Sequence, residues 1–142
     1  DFGAMALAAE MIGAAEAALH LTVSYAGERV QFGQPIGTFQ GVKHPLAEMY
    51  VDIESFKSLL YYAAWCLDES PAEAPRYVSM AKAYASDSFT RIGIAGIELH
   101  GGLGSTWECD AQLYLKRSKW AMKRTLTLSR RWKKPTLSPC SS

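Results

Sequence analysis

The sequence predicts an all-α chain, a four-helix up-and-down bundle, on three observations. Apolar residues recur in alternating steps of four and three along three long stretches. Clusters rich in Gly and Pro separate those stretches, and nowhere does a run alternate apolar and polar residues as a strand would. Such spacing gathers each set into one stripe on a helix, the kind of surface that antiparallel bundle packing buries. At 142 residues the chain is one domain by length and long enough to bury its own core.

The first helix is predicted from Leu7, Met11, Ala14, Ala18, Leu21 and Tyr25, with Gly33, Pro35 and Gly37 stopping its continuation. Leu46, Met49, Ile53, Phe56, Leu60, Ala63 and Leu67 define the second, and Pro45 belongs near its start, where a missing N–H does least harm. "ESPAEAP" (Glu69 to Pro75) reads as a turn. The third helix carries Val78, Ala81, Ala85, Ser88, Ile92, Ala95 and Leu99, and "GGLG" (Gly101 to Gly104) ends it. Ser105 with Glu108 fits a capping box opening a fourth helix. The bundle domain is expected over residues 1–132, and the aperiodic "KKPTLSPCSS" of 133–142 is expected to be a disordered tail.

No stretch reads as a signal peptide or a membrane span, because Glu, Lys, Asp or His interrupts each apolar run. Cys66, Cys109 and Cys140 are odd in number and lack metal-ligand spacing, so they are expected as reduced thiols in a soluble, cytoplasmic protein. His20, His44 and His100 are scattered and suggest no metal site, and no nucleophile–base constellation stands out. Charge is distributed unevenly. All fourteen acidic residues lie between Asp1 and Asp110, against six Lys or Arg, a balance of −8. From Ala111 onward there are nine Lys or Arg and no acid.

Two connections carry more chemistry than a turn needs. In "RVQFGQPIGTFQ" (Arg29 to Gln40) the Arg29 guanidinium offers a fork of donors suited to phosphate oxygens. Phe32 and Phe39 suit a flat ring, Gln31 and Gln40 its polar edge, and Gly33 and Gly37 a close backbone approach. Together they suit a nucleotide or dinucleotide. The same residues also fit a plainer role, with the aromatics plugging the bundle end, Arg29 paired to an acid and the glycines serving the turn. "ELHGGLGSTWE" (Glu98 to Glu108) offers glycine backbone ahead of a helix, a place for an anion, although C-capping alone accounts for some of those glycines.

"YAGERVQFGQPIGTFQGVKHPLAEM" (Tyr25 to Met49) resembles the start of the C-terminal helical domain of flavin-dependent acyl-CoA dehydrogenases. "LHGGLGSTWECDAQLYLKR" (Leu99 to Arg117) resembles that family's second signature, particularly its bacterial branch, with "AKAYASDS" (Ala81 to Ser88) between them. The resemblance covers roughly residues 4 to 120 and fades near Ala121. It implies a bundle that pairs with its copy in another subunit. It also implies that Arg29, Gln31 and Phe32 contact the pyrophosphate and adenine end of FAD, with Phe39 and Gln40 at the same cofactor. Gly101, Gly102 and Gly104 would line the turn approaching FAD from the other side. Position 98, usually Gln in the family, is Glu98, whose carboxylate would repel a pyrophosphate.

The family's catalytic glutamate follows the glycines by some twenty residues, or lies on the first helix. Here those places read "AMKRTLTLSRRW" (Ala121 to Trp132) and Gly3–Ala4, so no catalytic residue is assigned. The resemblance therefore implies the FAD-contacting and oligomerisation domain of an enzyme that oxidises acyl-CoA to 2,3-enoyl-CoA, inactive by itself. Two alternatives stand beside it. One is a non-catalytic subunit of a hetero-oligomeric acyl-CoA dehydrogenase. The other is a small helical binding module whose basic end meets nucleic acid or an acidic surface, nucleic acid being disfavoured by the lack of interleaved glycine–aromatic signatures.

Overall fold

The apolar spacing is realised as four α-helices, α1 (Phe2–Glu28), α2 (Gln40–Glu69), α3 (Ala74–His100) and α4 (Ala111–Trp132). The structure, a computed structural model, describes residues 2–132, with side chains as far as Arg124; Asp1 and the expected tail at 133–142 lie outside the described residues. Tight connections alternate the helix directions. Thr22 of α1 faces Gly96 of α3, and Met11 meets Lys82, so α1 and α3 run parallel. Lys57 of α2 pairs with Glu16 of α1, and Arg117 of α4 pairs with Glu10, which sets α2 and α4 antiparallel to that pair. α1 and α3 make the most extensive contact, while α2 and α4 each pack on both of them. The two flanking helices therefore lie on opposite sides of an α1–α3 layer.

Small side chains permit that close approach: Ala8, Ala15, Ala81 and Ala85 are wholly buried, and a Cβ on Gly93 would come within 3.0 Å of the Leu115 Cα. The core is filled by Met11, Ile53, Phe56, Phe89 and Ile92, each contributing about 1.5–3 kcal/mol on burial. The stripes predicted on α2 and α3 are buried, half-buried only at Leu46, Leu67, Ala95 and Leu99, and α3 buries Lys82, Ser86, Phe89, Gly93, Gly96 and His100 beside its stripe. On α1 the prediction is too narrow. Met11 and Ala18 are buried as expected, but so are Ala8, Ile12, Ala15, Leu19, Thr22 and Ala26. A helix contacted by three others buries an arc rather than a stripe. By length and composition alone α1 would suffice to cross a membrane, and a third of its most apolar stretch is buried in the bundle.

Three local expectations need correction. The α1–α2 connection holds a hairpin, β1 (Val30–Gln31) paired antiparallel to β2 (Gln34–Pro35), followed by a 3₁₀ turn at Ile36–Thr38. Pro45 lies in the second turn of α2, past the donors a helix start leaves unpaired, so the Gly41 carbonyl loses its usual partner and faces solvent. Ser105 and Glu108 form no capping box. The Ser105 hydroxyl donates to the Gly102 carbonyl (2.9 Å) inside a 3₁₀ stretch, Gly101–Ser105, and α4 begins only at Ala111.

Among the described residues, one lysine is buried inside the bundle. Lys82 is 2% exposed, with its Nζ 3.2 Å from Ser86 Oγ, 3.4 Å from the Ala121 carbonyl and 3.9 Å from Met11 Sδ. Burial lowers its pKa from 10.5 to about 8, only partly opposed by the field of Glu10.

Candidate functional site

The two chemically loaded connections meet at one end of the bundle because α1 and α3 run parallel and finish together. The Tyr25 ring stacks on His100 with centroids 4.4 Å apart, and its hydroxyl donates to the His100 carbonyl at 3.5 Å. His100 Nδ1 lies 2.6 Å from the Gly96 carbonyl, which fixes the ring on α3. The Arg29 N–H donates to the Tyr25 carbonyl (2.8 Å), while Ile36 N–H donates to the Arg29 carbonyl (2.8 Å), so the hairpin hangs directly from the end of α1. Gly37 presses this connection down: a Cβ there would lie 3.0 Å from the Ala26 carbonyl oxygen.

Phe32 and Gly33 form the two-residue hairpin loop, with φ of +53° and +79°. Positive φ at both loop positions is the type I′ pattern, normally supplied by Asn-Gly or Gly-Gly. A phenylalanine held there is strained by about 1 kcal/mol. It is also 93% exposed, with its ring set at 90° to that of Phe39 and the centroids 6.1 Å apart. Arg29, Gln31 and Gln40 are exposed around it. Phe39 is the N-cap of α2 and supplies no side-chain cap, and α2 opens without an acidic residue in its first turn. Arg29 leads into the hairpin, Gln31 and Phe32 lie on it, and Phe39 and Gln40 stand at the start of α2, which has no side-chain cap.

The glycine turn is built differently. Gly101, at φ +61° and ψ −138°, takes a conformation that only glycine adopts readily and closes α3 by its N–H to the Glu98 carbonyl. Gly102 is exposed, whereas Gly104 is buried against α3, where a Cβ would lie 2.6 Å from the Ile97 carbonyl oxygen. Between the end of α1 and the α3–α4 connection lies an open groove of about 360 Å³, lined by Tyr25, His100 and Leu103 together with Glu28, Glu108 and Asp110. Those carboxylates leave the hairpin side, with Arg29, as the part of this end suited to an anion. Sequence reasoning found no metal site at His100 and took Tyr25 as part of the α1 stripe. Their stacking is the joint between the two connections, and only the parallel course of α1 and α3 reveals it. Among the described residues no group of His, Cys, Asp or Glu is arranged to hold a metal ion.

The family model for the C-terminal domain of acyl-CoA dehydrogenases matches residues 1–122. The acyl-CoA dehydrogenase IpdE2 of Mycobacterium tuberculosis is 45% identical over 118 residues, covering 83% of this chain and 35% of that protein. Among solved structures, butyryl-CoA dehydrogenase from Megasphaera elsdenii superposes with a TM-score of 0.81 at 30% identity, over 92% of this chain and 35% of the other. The ChsE4–ChsE5 complex from Mycobacterium tuberculosis superposes with a TM-score of 0.80 at 28% identity, over 96% and 38%. The chain thus spans about a third of the length of the relatives it matches.

Proposed function

The chain belongs to the acyl-CoA dehydrogenase family as its C-terminal helical domain, and on that premise we propose that it grips the adenine–pyrophosphate half of FAD and forms an oligomer contact within a complete enzyme. The observation that carries this reading is Phe32, exposed and strained at the hairpin tip beside Arg29 and the uncapped start of α2. Strain of this kind is kept where a site needs a side chain in one place. Arg29 would present its fork to pyrophosphate oxygens and Phe32 its ring to the adenine, with the free backbone donors at the start of α2 adding partial positive charge. Gln31 and Gln40 would serve the polar edge, and Gly101, Gly102 and Gly104 would keep the opposite connection low enough for the cofactor to pass. When bound, FAD supplies the oxidising centre for acyl-CoA oxidation to the 2,3-enoyl-CoA.

This chain supplies no base at either of the family's usual positions. The segment 121–132 holds no acid and the start of α1 reads Gly3–Ala4, so the α-proton must be taken by a carboxylate carried elsewhere in the assembly. A non-catalytic subunit of a hetero-oligomer fits the same facts, and the likeness to the ChsE4–ChsE5 complex supports it. Buried, unpaired Cys66 and Cys109 suit a reducing compartment, and we place the protein in the cytoplasm.

Amide chemical-shift mapping of the labelled chain titrated with millimolar FAD tests the reading. Shifts are expected at Arg29–Gln40 and at Gly101–Gly104, lost in Arg29→Ala, with no acyl-CoA-dependent dye reduction by the chain alone. Shifts confined to other surfaces would refute the cofactor contact. A yellow protein bleached by an acyl-CoA would refute the absence of independent activity.

A further inference from the structure

Each connection of the candidate site is anchored to the helix it leaves. At the end of α1 the Tyr25 carbonyl accepts from the Arg29 N–H (2.8 Å), and the Arg29 carbonyl accepts from the Ile36 N–H (2.8 Å). Gly37 lies close against the Ala26 carbonyl, so both feet of the hairpin are tied to the last turn of α1. At the end of α3 the Gly101 N–H donates to the Glu98 carbonyl. Gly104 lies close against the Ile97 carbonyl and the His100 Cβ, which ties the glycine turn to the last turn of α3. These anchors fix each connection on its own helix. They do not fix one connection relative to the other.

Tyr25 reaches from one anchor to the other. It is half-buried, and the His100 beneath its ring is buried. The two rings stack with centroids 4.4 Å apart and planes at 25°. The imidazole is itself held, because its Nδ1 lies 2.6 Å from the Gly96 carbonyl. A carbonyl can only accept, so Nδ1 carries the proton. The Tyr25 hydroxyl donates to the His100 carbonyl at 3.5 Å, and that carbonyl belongs to the peptide unit that opens the glycine turn. A single residue therefore holds the first foot of the hairpin by its carbonyl and the root of the glycine turn by its ring and hydroxyl. An aliphatic side chain would also fill this space, but a ring stacked on a ring sets tilt as well as distance.

We infer that Tyr25, seated on His100, is a positioning residue that holds the hairpin and the glycine turn at one spacing, so that both meet FAD as a single preformed surface. Tyr25 acts through the Arg29 backbone on one side and through the His100–Gly101 peptide on the other. A ligand that bridges two segments gains fully from the second contact only when their spacing is already set. Where it is not, part of the binding free energy is consumed in ordering them. The inference rests on the cofactor contact proposed above, and it adds the residue pair that makes two contacts into one site.

Amide chemical shifts of the full labelled chain, titrated with FAD, test it segment by segment. In the wild type, amides of Arg29–Gln40 and of Gly101–Gly104 are expected to shift together with one Kd. Tyr25→Leu and His100→Leu remove the ring contact from either side, Tyr25→Phe keeps it, and circular dichroism verifies that each variant folds. In the two leucine variants the hairpin amides are expected to respond about tenfold more weakly, while the glycine-turn amides stop responding. Tyr25→Phe is expected to restore the response of both segments. A residue that merely filled space would lower the melting temperature and leave the two segments responding together. A folded leucine variant in which both segments still respond therefore overturns the positioning role and leaves the cofactor contact standing. So does a wild type that responds at the hairpin alone. A wild type that responds at neither segment overturns the cofactor contact and this inference with it.

Discussion

Replacing Lys82 by methionine should stabilise the protein at neutral pH and abolish that gain in alkali. The Nζ is buried with a hydroxyl, a carbonyl and a thioether, none of them an anion. Its pKa falls from 10.5 to about 8. At about 1.36 kcal/mol per tenfold change in proton affinity, burying the charged form costs about 3 kcal/mol relative to the neutral amine. The direction in pH follows from proton counting. Below pH 8 both folded and unfolded chains hold the proton and the full cost applies. Between about 8 and 10.5 the folded chain has released it and the unfolded chain has not, so stability rises with pH across that window. Methionine has similar reach and no charge to bury, but it forfeits the hydrogen bonds to Ser86 and Ala121, each worth about 1 kcal/mol. Lys82→Met should therefore gain about 1–2 kcal/mol at pH 7 and lose that advantage by pH 10. Urea unfolding of both proteins at the two pH values measures the double difference, in which other titrations cancel. An equal difference at pH 7 and pH 10 would refute the reasoning, as would a variant less stable at both.

Two further outcomes follow from the connections. Gly104→Ala places a Cβ 2.6 Å from the Ile97 carbonyl oxygen and 2.9 Å from the His100 Cβ, so it should lower stability by about 1–3 kcal/mol in thermal or urea unfolding. Phe32→Asn puts an amide residue tolerant of positive φ at the hairpin tip. It should raise the stability of the chain by about 0.5–1 kcal/mol, since the Phe32 conformation costs about that much, while weakening the FAD-induced shifts at the hairpin. A variant that is both less stable and equally responsive to FAD would show that Phe32 is ordinary packing.

What the sequence made legible was whatever repeats along one helix. The α2 stripe from Met49 to Ala63 is buried as the spacing requires, because that helix turns one side toward the α1–α3 layer, and the α3 stripe from Val78 to Ile92 is buried within a wider arc. The α1 stripe was misjudged because its burial depends on three neighbours, which no local period encodes. The hairpin was missed because its type I′ loop reads Phe32–Gly33 where the usual signal is Asn-Gly, and its strands have only two residues each. Lys82 sits between Ala81 and Ala83 in an unremarkable helical run, so nothing local announces that its amine is carried into the core. The Tyr25–His100 stack joins residues 75 positions apart and depends entirely on helix direction. The Arg29–Gln40 stretch stood out because its residue types were excessive for a connection, and what the structure adds there is a hairpin and a 3₁₀ turn. Its polarity, though, emerges only from the helix ends assembled beside it.

That polarity yields a prediction with two opposed signs. At the hairpin end α1 and α3 present their C-terminal carbonyls, and Glu28, Glu108 and Asp110 border the groove between them. Helix α2 presents its N-terminus at the same end, with no side-chain cap and no acid in its first turn. The first carries partial negative charge and the second partial positive, so an anion at this end is drawn to Gln40 and Arg29 and away from the groove. A protein selected only for stability would place an acid in that first turn, where it contributes about 0.3–1 kcal/mol. Gln40→Glu should therefore stabilise the isolated chain by about that amount, seen as a higher urea midpoint. It should also set a carboxylate where the pyrophosphate would lie and abolish the FAD-induced shifts at Arg29–Gln40. Gln40→Met, uncharged and of similar length, should retain most of them. If Gln40→Glu left the FAD response intact, the anion would not lie at the start of α2. If it lowered stability instead, that helix end would already be satisfied, and its lack of a cap would say nothing about a ligand.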